Sequence, residues 1–434
     1  MHMLRRKFED YLLQWKRTKG KECLLVKGAR QVGKTYSIRA FGEKYYQNLV
    51  YLNFYENPEF SAIFDGSLEP DVIYRNMSLL LPGVKFEPHD TLIFLDEIQQ
   101  CPNARTALKF LALDDRYDVI ASSSLLGILY RDIASIPVGY ERQVCLRALD
   151  FEEFLWALGV SEETVAYLKD LFERREKVPD LVHGKMLEYL RTYMVVGGMP
   201  AVVNTYLATN NFNDVHDAQQ NILNSYQDDV LKYAGNPDKP KIKACFDSIP
   251  RQLAKEHTKF QYTVVHKGDG AKKYGSSIDW LVSSNIVACI HNVSTPLFPL
   301  KAYEKEEQFK VYVHDIGLLI AMYGYDMKAA ILHDTLTGPA KGGIYENLIL
   351  CMLLARNRTP YYYKAEHNSQ EIEFLLEENG AVVPVEVKAH RGKTVSLNAF
   401  QDQYHPPFAY KLVAGNAGEK DAKVTVPLYM AMFL

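Results

Sequence analysis

A short segment near the start of the chain has the composition and spacing of a loop that binds phosphate. The segment GARQVGKT, residues 28–35, has glycines at Gly28 and Gly33, followed directly by Lys34 and Thr35. It lies between an apolar run, ECLLVK, and a stretch that suits a helix, which is the setting that such a loop needs. Because the glycines let backbone N–H groups and a helix N-terminus face an anion, the segment predicts a nucleotide phosphate site.

Each part of this loop has an expected contact with ATP and Mg²⁺. Lys34 should reach the β- and γ-phosphates, and the Thr35 hydroxyl should hold the metal ion. The loop as a whole should bind the cofactor through Gly28, Ala29, Arg30, Gln31, Val32, Gly33, Lys34 and Thr35. The alternative is a glycine-containing turn with an incidental lysine, which the strand-to-helix setting disfavours.

A second apolar run, TLIFLDEIQQ, ends in the acidic residues Asp96 and Glu97. We expect Asp96 to contact the Mg²⁺ shell, and Glu97 to orient and deprotonate the attacking water. A carboxylate at Glu97 favours ATP hydrolysis over a small-molecule kinase, because a kinase needs this space for its second substrate. Acids also favour helix starts, so the alternative is that the pair caps a following helix.

Farther along, polar residues are candidates for contact with the γ-phosphate. The run VIASSSLLG ends in hydroxyl groups, of which we assign Ser123 to the nucleotide site; a serine-rich turn that caps a helix is the alternative. Arg142 is the first candidate for an arginine finger, acting in its own chain or on a neighbouring copy. A finger acting on a neighbour would require a homo-oligomer, and the sequence leaves the oligomeric state open.

Near the C-terminus, acidic and basic side chains share one face of two predicted strands. Glu386 and Lys388 in AVVPVEVKA project from the same side of their strand, as do Glu371 and Glu373 in the strand before it. Glu346, in the predicted helix of GGIYENLIL, adds another carboxylate. Phosphodiester cleavage needs carboxylates that hold a metal ion and a cation that stabilises developing charge. Glu346, Glu373 and Glu386 are therefore candidate metal ligands, and Lys388 is the candidate catalytic cation; the alternative is a salt bridge on a half-exposed strand.

The elements that must position these residues follow from the pattern of apolar runs. At 434 residues the chain exceeds what one core usually organises, so two or three domains are expected. As far as about residue 150, strand-length runs alternate with stretches long enough for crossover helices, which predicts a parallel α/β sheet. A helical region follows, in which Gly197, Gly198 and Pro200 predict a tight junction between helices. After Pro237, a helix pair and an extended segment have the outline of a winged helix.

Charge and cysteine usage limit the classes of function. The net charge of −3 gives no global basic field for nucleic acid, although Lys267, Lys272 and Lys273 beside a predicted recognition helix would suit DNA phosphates; a solvated loop is the alternative. The six cysteines are too scattered for a zinc or redox motif. With no signal peptide and no apolar stretch of ~18 residues, we expect a cytoplasmic protein that does not enter a membrane.

Together these segments resemble a family of bacterial and archaeal AAA-type P-loop ATPases. Its members carry a C-terminal domain of unknown function that has a restriction-endonuclease-like core. The resemblance covers nearly the whole chain through GARQVGKT and LDEIQ, the Walker A and Walker B segments, and through SSSLLG, LDFEEFLWA, VVGGMPAVV, IYENLIL and VPVEVKA. The acidic, acidic-x-Lys pattern is similar to the PD-(D/E)XK nuclease core. The chain departs from the family at Ser123, where glycine is usual, and at Glu373, where aspartate is usual. The longer Glu373 side chain matters because misplacement on the order of 1 Å can cost ~10²-fold in rate.

The resemblance implies an α/β protein in four segments. These are an AAA-type ATPase domain over 1–155, a helical connector over 156–236, a winged-helix-like segment over 237–305 and a PD-(D/E)XK nuclease-like domain over 306–434. The first functional hypothesis is an ATPase that acts on, or is regulated by, nucleic acid. The second is an ATP-gated, metal-dependent DNA nuclease. The third is a nucleotide-dependent switch whose inactive nuclease fold binds a protein or DNA.

Overall fold

The computed structural model describes residues 4–18, 22–124, 139–255, 258–268, 270–365, 370–388 and 394–434. These residues form two compact units. The N-terminal unit comprises Arg5–Arg147 and Ser283–Ile286, and the C-terminal unit consists mainly of Ala148–Val282 and Val287–Leu434. Among the described residues, none of the helices combines the length and the apolar character needed to cross a bilayer.

The N-terminal unit is built on a five-stranded parallel sheet in the order β2-β3-β4-β1-β5. Its strands are β1 (Cys23–Lys27), β2 (Asn48–Asn53), β3 (Thr91–Asp96), β4 (Asp118–Ser123) and β5 (Glu141–Cys145). Its helices are α1 (Lys7–Arg17), α2 (Lys34–Tyr45), α3 (Pro70–Leu80) and α4 (Pro102–Asp114), with 3₁₀ turns at Pro58–Phe64 and Ile98–Gln100. The predicted parallel α/β sheet is confirmed.

The composition of the central strands explains this arrangement. All residues of β3 and β4 are buried, as a parallel sheet with both faces covered requires. One core cluster includes Leu25, Leu52, Ile93 and Ala121, one from each of four neighbouring strands. Because β1 lies beside β4, and β4 beside β3, the ends of these three strands meet at one edge of the sheet.

The C-terminal unit contains a mixed eight-stranded sheet in the order β12-β13-β11-β10-β9-β8-β6-β7. Its strands are β6 (Val287–Val293), β7 (Glu304–Val313), β8 (Tyr361–Lys364), β9 (Glu371–Glu378), β10 (Ala381–Lys388), β11 (Ala409–Val413), β12 (Gly418–Lys420) and β13 (Lys423–Pro427). Strands β8, β9 and β10 pair in antiparallel fashion, whereas β10, β11 and β13 pair in parallel.

Helices make up the rest of this unit. The first group is α5 (Phe151–Ala157), α6 (Glu162–Glu173), α7 (Asp180–Val196), α8 (Pro200–Thr209), α9 (Phe212–Tyr233), α10 (Lys239–Leu253), α11 (Tyr262–Val265) and α12 (Ala271–Ser283). The second is α13 (Ile316–Tyr323), α14 (Asp326–Leu332), α15 (Pro339–Ala355) and α16 (Val395–Tyr404), with 3₁₀ turns at Leu300–Tyr303 and Leu428–Phe433. The division into connector, winged-helix-like and nuclease-like segments stays a prediction; its boundary at residue 305 falls inside β7, and β6 pairs with both β7 and β8.

The predicted tight junction between helices is confirmed where α7 gives way to α8. Gly197 adopts φ 78°, and a Cβ there would lie 2.3 Å from Oδ1 of Asp315. A Cβ on Gly198 would lie 2.0 Å from the carbonyl oxygen of Leu149. The Gly198 N–H donates to Oδ2 of Asp315 at 2.7 Å, and the Leu149 N–H donates to the Gly198 oxygen at 2.7 Å. The two glycines therefore allow a close backbone approach that a larger residue would block.

Candidate functional site

The phosphate loop connects β1 to α2, and its conformation depends on glycine. Gln31 and Gly33 adopt positive φ angles of 66° and 94°, so the backbone turns before α2 begins at Lys34. A Cβ on Gly28 would lie 2.2 Å from the carbonyl oxygen of Leu146. The loop therefore has the glycine-dependent turn that a phosphate-binding loop needs.

Lys34 lies inside this loop. Its Nζ donates to the carbonyl oxygens of Gly28 at 2.9 Å and Ala29 at 2.8 Å, and its side chain is buried. Burial lowers the pKa of the Lys34 ammonium, while the carboxylates of Glu97 and Asp96 oppose that shift. A buried ammonium is costly unless a negative charge pairs with it, so the position of Lys34 in this loop suits a bound phosphate group.

Asp96, at the end of β3, accepts hydrogen bonds from both sides of the sheet edge. The hydroxyls of Thr35 and Tyr51 donate to its Oδ2 at 2.9 Å and 3.0 Å. The Ser122 hydroxyl and the Glu97 N–H donate to its Oδ1, the latter at 3.2 Å. Burial raises the pKa of the Asp96 carboxyl, and the bonds from Ser122 and Thr35 oppose that shift. The hydroxyl of Thr35 beside this carboxylate is an oxygen pair of the kind that Mg²⁺ prefers, so these residues fit the metal of a nucleotide site.

Glu97 lies next to Asp96 but is held by different groups. Its backbone is left-handed, with φ 54°, and its Oε2 accepts hydrogen bonds from the Ser124 hydroxyl at 2.8 Å and from the Gln99 amide. Its side chain makes no capping bond to the 3₁₀ turn that follows, and α4 begins only at Pro102. The helix-capping alternative therefore does not describe Glu97, and its carboxylate stays available for chemistry at the sheet edge.

The three serines at the end of β4 divide between two faces of the strand. Ser122 and Ser124 contact Asp96 and Glu97, as their alternation along the strand allows. Ser123 points the other way, and its buried hydroxyl has no hydrogen-bond partner within the described part of the chain. The structure thus brings Ser122 and Ser124 to the acidic pair, and the assignment of Ser123 to the nucleotide site stays a prediction.

Arg142 is not brought to the phosphate loop. It pairs in register with Leu24, near the start of β1, whereas Cys145 pairs with Lys27, where β1 leads into the loop. Its guanidinium lies 3.0 Å from the carboxylate of Glu22, and both side chains are partly exposed. A finger role for Arg142 within its own nucleotide site is therefore not supported, and a role on a neighbouring copy stays a prediction.

Two further residues, Tyr51 and Gln99, contact the acidic pair and were not predicted from the sequence. Tyr51 belongs to β2, whose place beside β3 follows from the sheet order and not from any local signal. Gln99 is part of the LDEIQ segment, so the motif contained it, but its contact with Glu97 depends on the backbone turn at residue 97.

The C-terminal charged residues form a compact cluster, which we call the charged cluster. It consists of Lys310, Glu346, Glu371, Glu373, Glu386 and Lys388. Lys388 Nζ lies 3.4 Å from an oxygen of Glu373 and 3.4 Å from an oxygen of Glu386. Burial raises the pKa of the Glu373 carboxyl to about 7 although Lys388 opposes the shift, and burial likewise raises the pKa of Glu386. The prediction that Glu373, Glu386 and Lys388 lie together is therefore confirmed.

Glu346 has a different set of partners. Lys310, which is fully buried, places Nζ 3.3 Å from Glu346 and 2.8 Å from Glu371. The Tyr312 hydroxyl also donates to Glu346, at 2.7 Å. Ammonium groups thus lie against all three expected metal ligands, Glu346, Glu373 and Glu386. Within the described ranges, no group of three or more His, Cys, Asp or Glu residues has a geometry that could hold a metal ion.

The lysines proposed for DNA contact lie on an exposed surface. Lys272 and Lys273 fall in the first turn of α12, and Lys267 precedes it. Their exposure is compatible with contact to a phosphate backbone or with solvation, so DNA binding here stays a prediction.

The phosphate loop and the acidic pair lie in a segment that matches a known family model. Residues 20–155 match an AAA domain. Most of the N-terminal unit thus matches an AAA domain in sequence, and it has the parallel α/β sheet that was predicted for a P-loop fold. Residues 187–329 and 341–431 match two domains of unknown function, DUF8612 and DUF4143. No curated protein matches the chain.

Several solved structures are similar to the chain at low identity. The Walker-type ATPase PABY2304 of Pyrococcus abyssi is 13% identical, with a TM-score of 0.45, over 74% of this chain and 96% of that protein. The Orc1 protein of Aeropyrum pernix in complex with DNA is 12% identical, with a TM-score of 0.28, over 75% and 92%. AMPPCP-bound DnaA from Aquifex aeolicus is 13% identical, with a TM-score of 0.29, over 65% and 89%.

Proposed function

We propose that the N-terminal unit binds ATP with Mg²⁺ and hydrolyses it. The observation that carries this proposal is the 2.9 Å hydrogen bond between Thr35 and Asp96, because it joins the phosphate loop to the acidic end of β3. Thr35 and Asp96 would hold the metal ion, which neutralises charge on the β- and γ-phosphates when bound. Lys34 would bind the phosphates, and the match of residues 20–155 to an AAA domain supports the same reading.

Within this proposal Glu97 orients and deprotonates the attacking water. Its position one residue after Asp96, at the same sheet edge, supports this role. The hydrogen bonds from Ser124 and Gln99 fix one of its carboxylate oxygens, so that the orientation of the base is set before the reaction.

Binding and turnover of ATP by the full chain test this proposal. We expect the wild type to bind a fluorescent ATP analogue and to release phosphate in Mg²⁺, and Lys34→Ala to lose both. Lys85→Ala, which removes an exposed lysine from a loop of the same unit, is the matched control and should behave as the wild type. Equal activity in Lys34→Ala and wild type would show that the loop is not the nucleotide site.

We further propose that the C-terminal unit binds nucleic acid through a nuclease-like fold without cutting it, with an ATP-gated nuclease as the alternative. The observation that favours binding is that no group of three or more His, Cys, Asp or Glu residues in the described part of the chain could hold a metal ion. Lys310 lies against Glu346 and Glu371 instead. The exposed lysines at the start of α12 would supply phosphate contacts. A switch that binds a protein partner through the same fold is a further alternative.

Assays on supercoiled and single-stranded DNA distinguish these functions. The wild type, Lys388→Ala and Lys34→Ala are compared in Mg²⁺ or Mn²⁺, with and without ATP. Salt-sensitive DNA retention without cleavage supports the binding function. Cleavage that Lys388→Ala abolishes would establish the nuclease, and loss of that cleavage in Lys34→Ala would show gating by ATP. If the wild type neither retains nor cleaves DNA, the protein-binding switch is the function that remains.

A further inference from the structure

The carboxylate of Asp96 has no acceptor position to spare. An ionised carboxylate offers about four lone-pair sites, two on each oxygen. Thr35 and Tyr51 occupy Oδ2, and Ser122 and the Glu97 N–H occupy Oδ1. Asp96 is also fully buried, so no lone pair faces bulk water. Any metal ion or hydrogen-bond donor that newly binds a lone pair of Asp96 must therefore displace one of these four donors.

Three of the four donors are poorly suited to leave. Ser122 is fully buried, and the Glu97 donor is a backbone N–H fixed in a left-handed turn. Thr35 lies at the start of α2 and is itself the expected metal ligand.

Tyr51 differs from the other three donors in two respects. Its side chain is only partly buried, and its hydroxyl also accepts a hydrogen bond from the Asn53 amide at 3.0 Å. The hydroxyl can leave Asp96 and keep this second partner. The ring meanwhile stays between Phe94, with centroids 5.3 Å apart, and the Arg39 guanidinium, 4.9 Å from the ring centroid.

We propose that Tyr51 is a positioning residue that competes with Mg²⁺ for Oδ2 of Asp96 and so sets the Mg²⁺ concentration that nucleotide binding requires. This inference rests on the proposed ATP site. Groups around a metal ligand usually orient it, and their removal then weakens metal binding. Here Ser122 and the Glu97 N–H already orient the carboxylate through Oδ1. The bond from Tyr51 therefore adds competition rather than alignment, and removing it makes Asp96 easier to use.

The variant Tyr51→Phe isolates the hydroxyl, because it keeps the ring and its packing. A hydrogen bond to a charged group no longer has to be broken, so we expect the Mg²⁺ concentration at half-maximal nucleotide binding to fall about tenfold. Tyr51→Leu, which also lacks the hydroxyl, should shift the midpoint in the same direction. The matched control is Tyr74→Phe, which removes a 2.9 Å bond from a tyrosine to Asp114 elsewhere in the unit and should leave the midpoint unchanged.

The measurement is fluorescence of a bound ATP analogue in the full chain, titrated with Mg²⁺ at fixed nucleotide, with no dependence on turnover. A lower midpoint in both Tyr51 variants supports competition. A higher midpoint would assign Tyr51 an orienting role, and an unchanged midpoint would mean that its bond does not oppose the metal; either result overturns the inference. A wild type that binds no nucleotide at any Mg²⁺ concentration would overturn the proposed function itself, and this inference with it.

Discussion

Thr35 and Asp96 lie 61 positions apart in the chain and share a hydrogen bond of 2.9 Å. The bond exists because β1 and β3 flank β4 in one parallel sheet, so the residues that follow β1 and those that end β3 reach the same edge. The phosphate loop and the acidic pair therefore lie together at one edge of the sheet.

Removing the Thr35 hydroxyl should uncouple nucleotide binding from the metal. Mg²⁺ should raise the affinity for an ATP analogue in both proteins. We expect this gain to be smaller in Thr35→Ala than in the wild type by a factor of at least about ten, because a ligand of the metal is lost. Titrations in Mg²⁺ and in EDTA measure the difference. Thr106→Ala, on α4, removes a hydroxyl that bonds only locally to Pro102 and serves as the control. The same Mg²⁺ dependence in Thr35→Ala and wild type would contradict the proposed metal site.

Glu97→Gln should separate binding from hydrolysis. The amide keeps the size of the side chain but cannot take a proton from water, so we expect phosphate release to fall by about 10²-fold or more while ATP affinity changes little. Single-turnover hydrolysis and analogue binding measure the two effects. Glu87→Gln, in the loop before β3, is the control for the loss of one carboxylate. Retained turnover in Glu97→Gln would move the role of base to another group.

The glycine junction gives a prediction about stability. Gly198→Ala places a Cβ 2.0 Å from the backbone oxygen of Leu149, and a backbone atom cannot give way as a flexible side chain can. We expect the free energy of unfolding to drop by roughly 2–4 kcal/mol. In Gly184→Ala, within α7, the added Cβ meets nothing within 4 Å, so a gain of about 0.5–1 kcal/mol is expected from helix propensity. Chemical denaturation of both variants measures the contrast, and equal effects would refute the packing argument.

The buried carboxyl of Glu373 gives a prediction about pH. Its pKa is raised to about 7 in the folded state from 4.5, so between these values the folded protein holds a proton that the unfolded chain releases. This contribution to stability is present below pH 4.5 and is lost as the pH rises through about 7. Unfolding free energies from pH 4.5 to 7 should therefore fall less steeply in Glu373→Gln than in the wild type. Glu307→Gln, at an exposed position, should keep the wild-type slope.

The sequence predicted what local patterns and motifs can encode. Apolar runs located the parallel sheet, and residue spacing placed Lys34 and Thr35 in the loop, with Asp96 at a strand end. Strand order is set by packing over the whole sheet, so the neighbour of Asp96 on β2, Tyr51, could not be read from the chain. The same limit explains Arg142, whose place at the far end of β5 depends on register with β1.

The charged cluster shows a second limit. Alternation along β9 and β10 correctly put Glu373, Glu386 and Lys388 on one face. Lys310, however, comes from β7 and has no motif, yet it lies against Glu346 and Glu371 and changes their chemistry from open ligands to ion-paired groups. A long-range ion pair of this kind leaves no periodic trace in the sequence.

The buried ammonium of Lys310 should stabilise the charged cluster. Lys310→Met removes the fully buried cation and leaves Glu346 and Glu371 without its charge, so we expect the unfolding free energy to fall by about 3–5 kcal/mol. Adding Glu346→Gln and Glu371→Gln to Lys310→Met should recover much of that loss, because neutral amides carry a smaller desolvation cost. The coupling energy follows from denaturation of the single, double and triple variants. Strict additivity of their effects would mean that Lys310 acts through packing alone, and added Mg²⁺ that restores Lys310→Met would show that its ammonium occupies a place that a metal ion can fill.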